Sequence, residues 1–183
     1  MLFRSIVVVD EAYINFAKQK SLITLLNEYP NLVVLQTLSK AWGLAGLRVG
    51  MAFASTSIIK IMMKIRAPYN ISEPVQDLAV KALDNIDSVN EMIKVLISYR
   101  QWLEEELKNI PAVVHVYPSD ANYLLVKVKD AKSMYSHLLK NKIVVRDRSK
   151  VPQCENSFRI TVGTEKGNQL LVEAMKSWKE ENS

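Results

Sequence analysis

Cysteine occurs once, at Cys154, in a chain of 183 residues. A single thiol excludes a disulfide framework and any thiolate zinc site. Histidine occurs twice, at His115 and His137, and two isolated imidazoles exclude a His-rich metal centre. Five glycines and six prolines are too few for a low-complexity or collagen-like chain. No apolar run approaches the roughly 18–20 residues that would cross a bilayer. The opening, MLFRSIVVVDEAY, holds a short apolar stretch, but it runs directly into Asp10 and Glu11 with no small-residue cleavage site. It reads as a strand and not as a secretory signal, so a reducing, cytoplasmic setting is expected.

What remains is the composition of an ordinary globular protein, 49% hydrophobic and 23% charged, long enough to bury a core. Lys and Arg outnumber Asp and Glu by 24 to 19, a net charge of +5. That bias suits anionic small molecules. The densest basic stretch, KNKIVVRDRSK at 140–150, has neither interleaved aromatics nor a continuous basic helix. It therefore reads as a solvated surface, and no nucleic-acid partner is expected.

Along the chain, Ile6–Val9 is a β-branched run ending in an acid, the pattern of a strand buried on both faces of a parallel sheet. Leu22, Leu25, Leu26 and Tyr29 share one face of a helix that Pro30 stops. Leu32–Leu38 and Val49–Ala54 are further strands, separated by a loop with Lys40 and three glycines. An amphipathic helix follows, with Ile58, Ile61, Met62 and Ile65 inward. The alternation predicts an α/β sheet with helical crossovers. Ser72 caps a helix with Pro74 in its first turn, and Ser88-Val89-Asn90-Glu91 has the capping-box form that opens a long helix. Then come strands at 113–116 and 121–128, a helix at 131–140, strands at 143–146 and 157–162, and a closing helix at 165–178. Val126 and Val128 alternate with Lys127 and Lys129, so this second sheet has one wet face. Two units joined near residues 70–88 are expected, the second α+β. The first offers only three strands, as though the chain begins in the middle of a domain.

Two places could carry chemistry. Asp10 lies at the carboxyl end of a strand, where open α/β sheets place ligands. A carboxylate near a low-dielectric interior needs a cation or several donors, and a structural cap or ion pair would serve equally. The segment Thr37 to Gly50, T-L-S-K-A-W-G-L-A-G-L-R-V-G, sets two hydroxyls beside Lys40 and follows them with spaced glycines and Arg48. Arg48 offers a planar fork for phosphate or carboxylate, or could cap the preceding loop. A lysine held near cations or out of water loses basicity, as Schiff-base chemistry requires.

The strings Asp10-Glu11-Ala12-Tyr13 and Ser39-Lys40-Ala41-Trp42-Gly43-Leu44-Ala45-Gly46-Leu47-Arg48-Val49-Gly50 resemble the fold type I, class I/II pyridoxal-phosphate aminotransferases. Within them the chain is most similar to the histidinol-phosphate branch. Ala67-Pro68-Tyr69-Asn70-Ile71-Ser72, Ala121-Asn122-Tyr123-Leu124-Leu125-Val126 and Phe158-Arg159-Ile160-Thr161-Val162-Gly163-Thr164 agree, in order. The resemblance implies an α/β fold: residues 1–70 as the carboxyl-terminal part of a large, mainly parallel cofactor domain, and 71–183 as a small α+β domain.

It also implies pyridoxal 5'-phosphate as cofactor, with Lys40 as catalytic lysine and proton shuttle. Asp10 would pair with the pyridine nitrogen, Tyr13 would bond the phenolic oxygen, and Thr37, Ser39 and Arg48 would hold the phosphate. Arg159 would take the amino-acid carboxylate and Arg146 the substrate phosphate, with Arg148 and Lys150 close enough to substitute. Left to the residues alone, Tyr13 is equally a core aromatic, and Arg159 equally half of a buried ion pair. The implied reaction moves an amino group between histidinol phosphate and 2-oxoglutarate, in histidine biosynthesis, in a homodimeric parent. The family's chain is about twice as long, so the present one, a carboxyl-terminal portion, is expected to expose apolar sheet and to act poorly alone. Threonine-phosphate decarboxylase, an aromatic or aspartate aminotransferase, and a non-catalytic remnant are the rival expectations.

Overall fold

A computed structural model of the chain describes residues 5–179. The opening residues 1–4, part of the segment that reads as lacking a leader pattern, lie outside them. The chain divides into two compact units, Met1–Ile93 and Lys94–Ser183.

The first unit holds a three-stranded sheet of β1 (Val7–Asp10), β2 (Leu32–Thr37) and β3 (Gly50–Ala54), in that order. β1 and β2 run parallel, Val7 opposite Leu32 and Asp10 opposite Leu35. β3 returns antiparallel to β2, Thr37 opposite Gly50. The expected helical crossovers are not what joins these strands. β1 reaches β2 through two 3-10 turns, Ile14–Phe16 and Leu22–Leu25. The helix expected at 22–29 is only the 3-10 turn Leu22–Leu25, although Ser21 caps it by accepting from Ile23 N and Glu11 accepts from Leu22 N. So short a segment gains little from helical propagation. Between β2 and β3 there is only the 3-10 turn Ala45–Leu47. A parallel return needs a crossover, and without one the chain doubles back.

β2 is the centre of this unit: Leu32, Val33 and Val34 are buried, with Phe16, Leu38 and Ala41. β1 was expected to be covered on both faces, yet Ile6 and Val8 are 61% and 58% exposed. Among the described residues β1 has a neighbour on one side only. α1 (Thr56–Ile65) is the amphipathic helix expected after β3, but the face read as inward is open, with Ile61 62% and Ile65 82% exposed. α2 (Glu73–Leu83) begins with Ser72 at the N-cap and proline in the first turn, though the Ser72 hydroxyl makes no cap bond. α3 (Ile86–Lys108) starts before the predicted capping box, since Val89 N already bonds Asn85 O at 3.3 Å. Ser88 thus lies inside the first turn.

The second unit is an antiparallel sheet of β4 (Val113–Tyr117), β5 (Tyr123–Val128), β6 (Arg146–Asp147) and β7 (Ser157–Thr161), in the order β4-β5-β7-β6. The alternation in β5 is clean: Leu124, Val126 and Val128 are buried while Tyr123, Leu125 and Lys127 are partly exposed. The buried set joins Phe158 and Ile160 of β7 in one core. The end of α3, α4 (Ala131–Lys140) and α5 (Glu165–Ser177) supply Leu103, Leu107, Met134, Leu138, Leu171 and Met175 to that core. Asp130 caps α4 through Ser133 N at 3.0 Å, and Thr164 caps α5 through Gly167 N at 3.2 Å.

Phe158 is fully buried, 6.3 Å from the Tyr135 ring. Phe158→Ala is expected to cost the fold about 3–5 kcal/mol in urea unfolding. A loss under about 1 kcal/mol would mean that the core closes over the truncation.

Candidate functional site

In the first unit, parallel pairing brings the two predicted cofactor segments to one end of the sheet. Asp10 closes β1 opposite Leu35, and Thr37 closes β2 two residues further on. Asp10 is exposed and not set in a low-dielectric interior as expected, because β1 itself is uncovered on one side. Its Oδ1 accepts from Ala12 N at 2.9 Å, the local bond by which aspartate favours a turn. That turn leads to Tyr13, and the Lys40 Nζ stands 5.4 Å from the centre of the Tyr13 ring. A cation within about 6 Å of an aromatic face is attracted to it.

The Thr37 hydroxyl donates to Ser39 Oγ at 2.9 Å or to Val49 O at 3.1 Å, and accepts from Ser39 N at 3.0 Å. These bonds turn the chain sharply after β2 and present Lys40 to solvent. Arg48 behaves as the blander alternative allowed. It caps the 3-10 turn, Nη1 donating to Ala45 O at 3.2 Å. Its φ of 56° is left-handed, a conformation that costs a non-glycine residue roughly 1–2 kcal/mol. Tyr69 shares that conformation at φ 56° and is 96% exposed.

Sequence reasoning passed over Glu11, which reads as one more surface acid beside Asp10. It is in fact buried, 7% exposed. It accepts from Ser21 Oγ at 2.6 Å, Leu22 N at 2.7 Å and Gln36 Nε2 at 3.0 Å. Burial alone would raise its pKa, but donation from Ser21, Leu22 and Gln36 outweighs it and holds the carboxyl below its ordinary value near 4.5.

In the second unit, Arg146 and Arg159 lie directly opposite each other on β6 and β7. Both line an open cleft of about 700 Å³, together with Thr161, Gly163 and Asn168. Like charges directly opposite on a sheet are unfavourable. Neither guanidinium has a carboxylate partner among the described residues, which removes the buried ion pair considered for Arg159. Asp147 is committed elsewhere, its Oδ1 accepting from Ser149 Oγ at 2.6 Å and Ser149 N at 2.8 Å. Those donations hold its carboxyl below the usual range against the opposing effect of burial. Arg159 instead lies 5.3 Å from the Tyr123 ring centre, and its buried Nε has no hydrogen-bond acceptor. An orphaned buried donor facing a second cation is a site for an anion. Asn168 was also missed: buried, it bonds Gly163 N at 2.9 Å and Gly163 O at 3.2 Å, pinning the turn from β7 into α5.

Residues 3–175 match the family model for class I and II aminotransferases. The chain belongs to this family. It is 48% identical over 176 residues to a histidinol-phosphate aminotransferase of Cytophaga hutchinsonii, covering 96% of the chain and 51% of that relative. It is also similar to two solved structures. A histidinol-phosphate aminotransferase from Clostridium acetobutylicum superposes with a TM-score of 0.85 at 23% identity, over 92% of this chain and 52% of that one. Another from Sinorhizobium meliloti, in complex with pyridoxal-5'-phosphate, gives 0.80 at 26%, over 92% and 47%. The fold is therefore that of the fold type I aminotransferases. The chain spans about half the length of the curated relatives it matches.

Glu11 makes an acid-side prediction. Its folded pKa lies below the unfolded one, so its stabilisation is complete above about pH 4.5 and is lost as pH falls through the lower folded value. Glu11→Gln is expected to flatten the acid limb of stability against pH, measured by urea unfolding between pH 3 and 7. An unchanged limb would show that the carboxylate is not held as described.

Proposed function

We propose that this chain is the lysine-bearing, substrate-carboxylate-binding half of a pyridoxal-phosphate aminotransferase that exchanges an amino group between histidinol phosphate and 2-oxoglutarate, a step of histidine biosynthesis. The observation that carries the proposal is the meeting of Lys40 with the Tyr13 ring at the end of the parallel pair that also bears Asp10. In this reading residues 1–70 belong to the cofactor domain and 71–183 to the small domain. The whole protein works in the cytoplasm as a homodimer.

The donor set fits the group. An amine matches an aldehyde, a carboxylate a pyridine nitrogen, a phenol a ring oxygen, and two hydroxyls with a guanidinium a phosphate. When bound, pyridoxal phosphate supplies an electron sink for the substrate α-carbon. Asp10 would keep a proton on the pyridine nitrogen. Lys40 Nζ is the atom that takes and returns the α-proton. Tyr13 orients that amine and donates from its hydroxyl. Thr37 and Ser39 would offer their hydroxyls, and Arg48 its guanidinium, to the phosphate. Arg159 takes the carboxylate of glutamate or 2-oxoglutarate in the fork geometry that suits it, and Arg146 takes the substrate phosphate.

Titration of the chain with pyridoxal phosphate should raise a visible absorbance band that is absent in Lys40→Ala. A band of equal size in the variant would contradict the reading. For the cleft, calorimetric binding of 2-oxoglutarate should weaken about ten- to a hundredfold in Arg159→Ala, the worth of a charge-assisted bond. Arg146→Ala should weaken histidinol phosphate more than 2-oxoglutarate. Equal loss for both ligands would count against a phosphate role for Arg146.

A further inference from the structure

Glu11 has no part in the chemistry above, yet it is buried and its three donors come from two distant places in the chain. Ser21 and Leu22 open the second 3-10 turn, and Gln36 is the penultimate residue of β2. Gln36 Nε2 also reaches Ser21 Oγ at 3.3 Å, which closes the network. The Glu11 amide adds a backbone bond to Leu35 O at 2.8 Å, continuing the β1–β2 ladder by one residue. Glu11 is thus the next residue after Asp10 and two before Tyr13, while its partner Gln36 immediately precedes Thr37. A buried carboxylate is a poor means of gaining stability, since apolar side chains of similar volume serve as well or better. Its advantage is direction. Each oxygen accepts along defined lines, so the network tolerates one arrangement of the three segments where an apolar contact would tolerate several.

We propose that Glu11 is a positioning residue: through Gln36 and the 21–22 turn it fixes the Asp10–Tyr13 segment against the Thr37–Lys40 segment, so that the Lys40 amine and the Tyr13 ring meet. The functional consequence rests on Lys40 being the cofactor lysine, whereas the coupling between the two segments does not.

The test uses the chain without and with pyridoxal phosphate. Without it, amide hydrogen exchange is measured at Ala12 and Ser39, whose N–H groups bond Asp10 Oδ1 and Thr37 Oγ1. Val34, at the buried centre of β2, is the reference. Glu11→Gln should speed exchange at both Ala12 and Ser39 about tenfold more than at Val34, the scale of one lost bond to a charged group. Equal acceleration at all three, or acceleration at Ala12 alone, would overturn the coupling. Gln36→Met, which leaves Glu11 two donors, should give the same pattern at smaller size and decides the matter if Glu11→Gln does not fold. With the cofactor, Glu11→Gln should weaken the Lys40-dependent band's apparent affinity about tenfold and move its pH midpoint. Unchanged affinity and midpoint would reduce Glu11 to a structural residue. If the unmutated chain gives no Lys40-dependent band, the cofactor reading fails while the exchange pattern still decides the coupling.

Discussion

Parallel pairing of β1 with β2 sends both strands out of the sheet at the same end, and the cofactor-binding candidates lie at or just past that end. With Asp10 opposite Leu35, the turn to Tyr13 and the turn through Ser39 to Lys40 leave side by side. Slipping the register by one residue would turn every side chain of a strand to the opposite face. Antiparallel pairing would carry Asp10 and Lys40 to opposite ends. The ladder bond from Glu11 N to Leu35 O and the side-chain network around Glu11 protect this register at the point where it matters.

The second unit solves a different problem by a related route. Its core is complete, with Phe158 and Ile160 facing the helices from the strand that carries Arg159 on its other face. A rigid strand is therefore what holds the guanidinium. The cation is supported by the Tyr123 ring and not by a carboxylate, so its charge stays available to a ligand. Among the described residues Asp147 is the one acid lining the cleft, and Ser149 occupies it. The first unit, in contrast, leaves Ile6, Val8 and Ile65 largely exposed. Its sheet is organised but only partly covered by the described residues.

Periodicity recovered most elements of the second unit to within two residues, because their signals are local, as in the alternation of Tyr123–Val128 and the closing helix after Thr164. The strand expected at 143–146 is instead the two-residue β6, Arg146–Asp147, since only those two residues pair with β7. The first unit was harder. The pattern of Leu22, Leu25, Leu26 and Tyr29 is helical, but the segment before Pro30 is too short to gain much from helical propagation, and only the 3-10 turn Leu22–Leu25 forms. The direction of β3 depends on the absence of a crossover, which no pattern within β3 records. Motif resemblance supplied the candidate cofactor residues; the structure sets the Lys40 amine 5.4 Å from the Tyr13 ring centre and leaves Asp10 more open than a buried strand end suggests. Glu11 escaped notice because its partners lie 10 and 25 positions away at Ser21 and Gln36, a separation with no periodic signature.

The central claim is that Lys40, among all the lysines of the chain, is the one prepared for an aldehyde. Borohydride trapping after incubation with stoichiometric pyridoxal phosphate, followed by peptide mass mapping, tests it without requiring turnover. The expected result is a pyridoxyl group concentrated on the peptide that contains Lys40. Label spread over exposed lysines such as Lys60, Lys140 and Lys166, with no preference for Lys40, would contradict it.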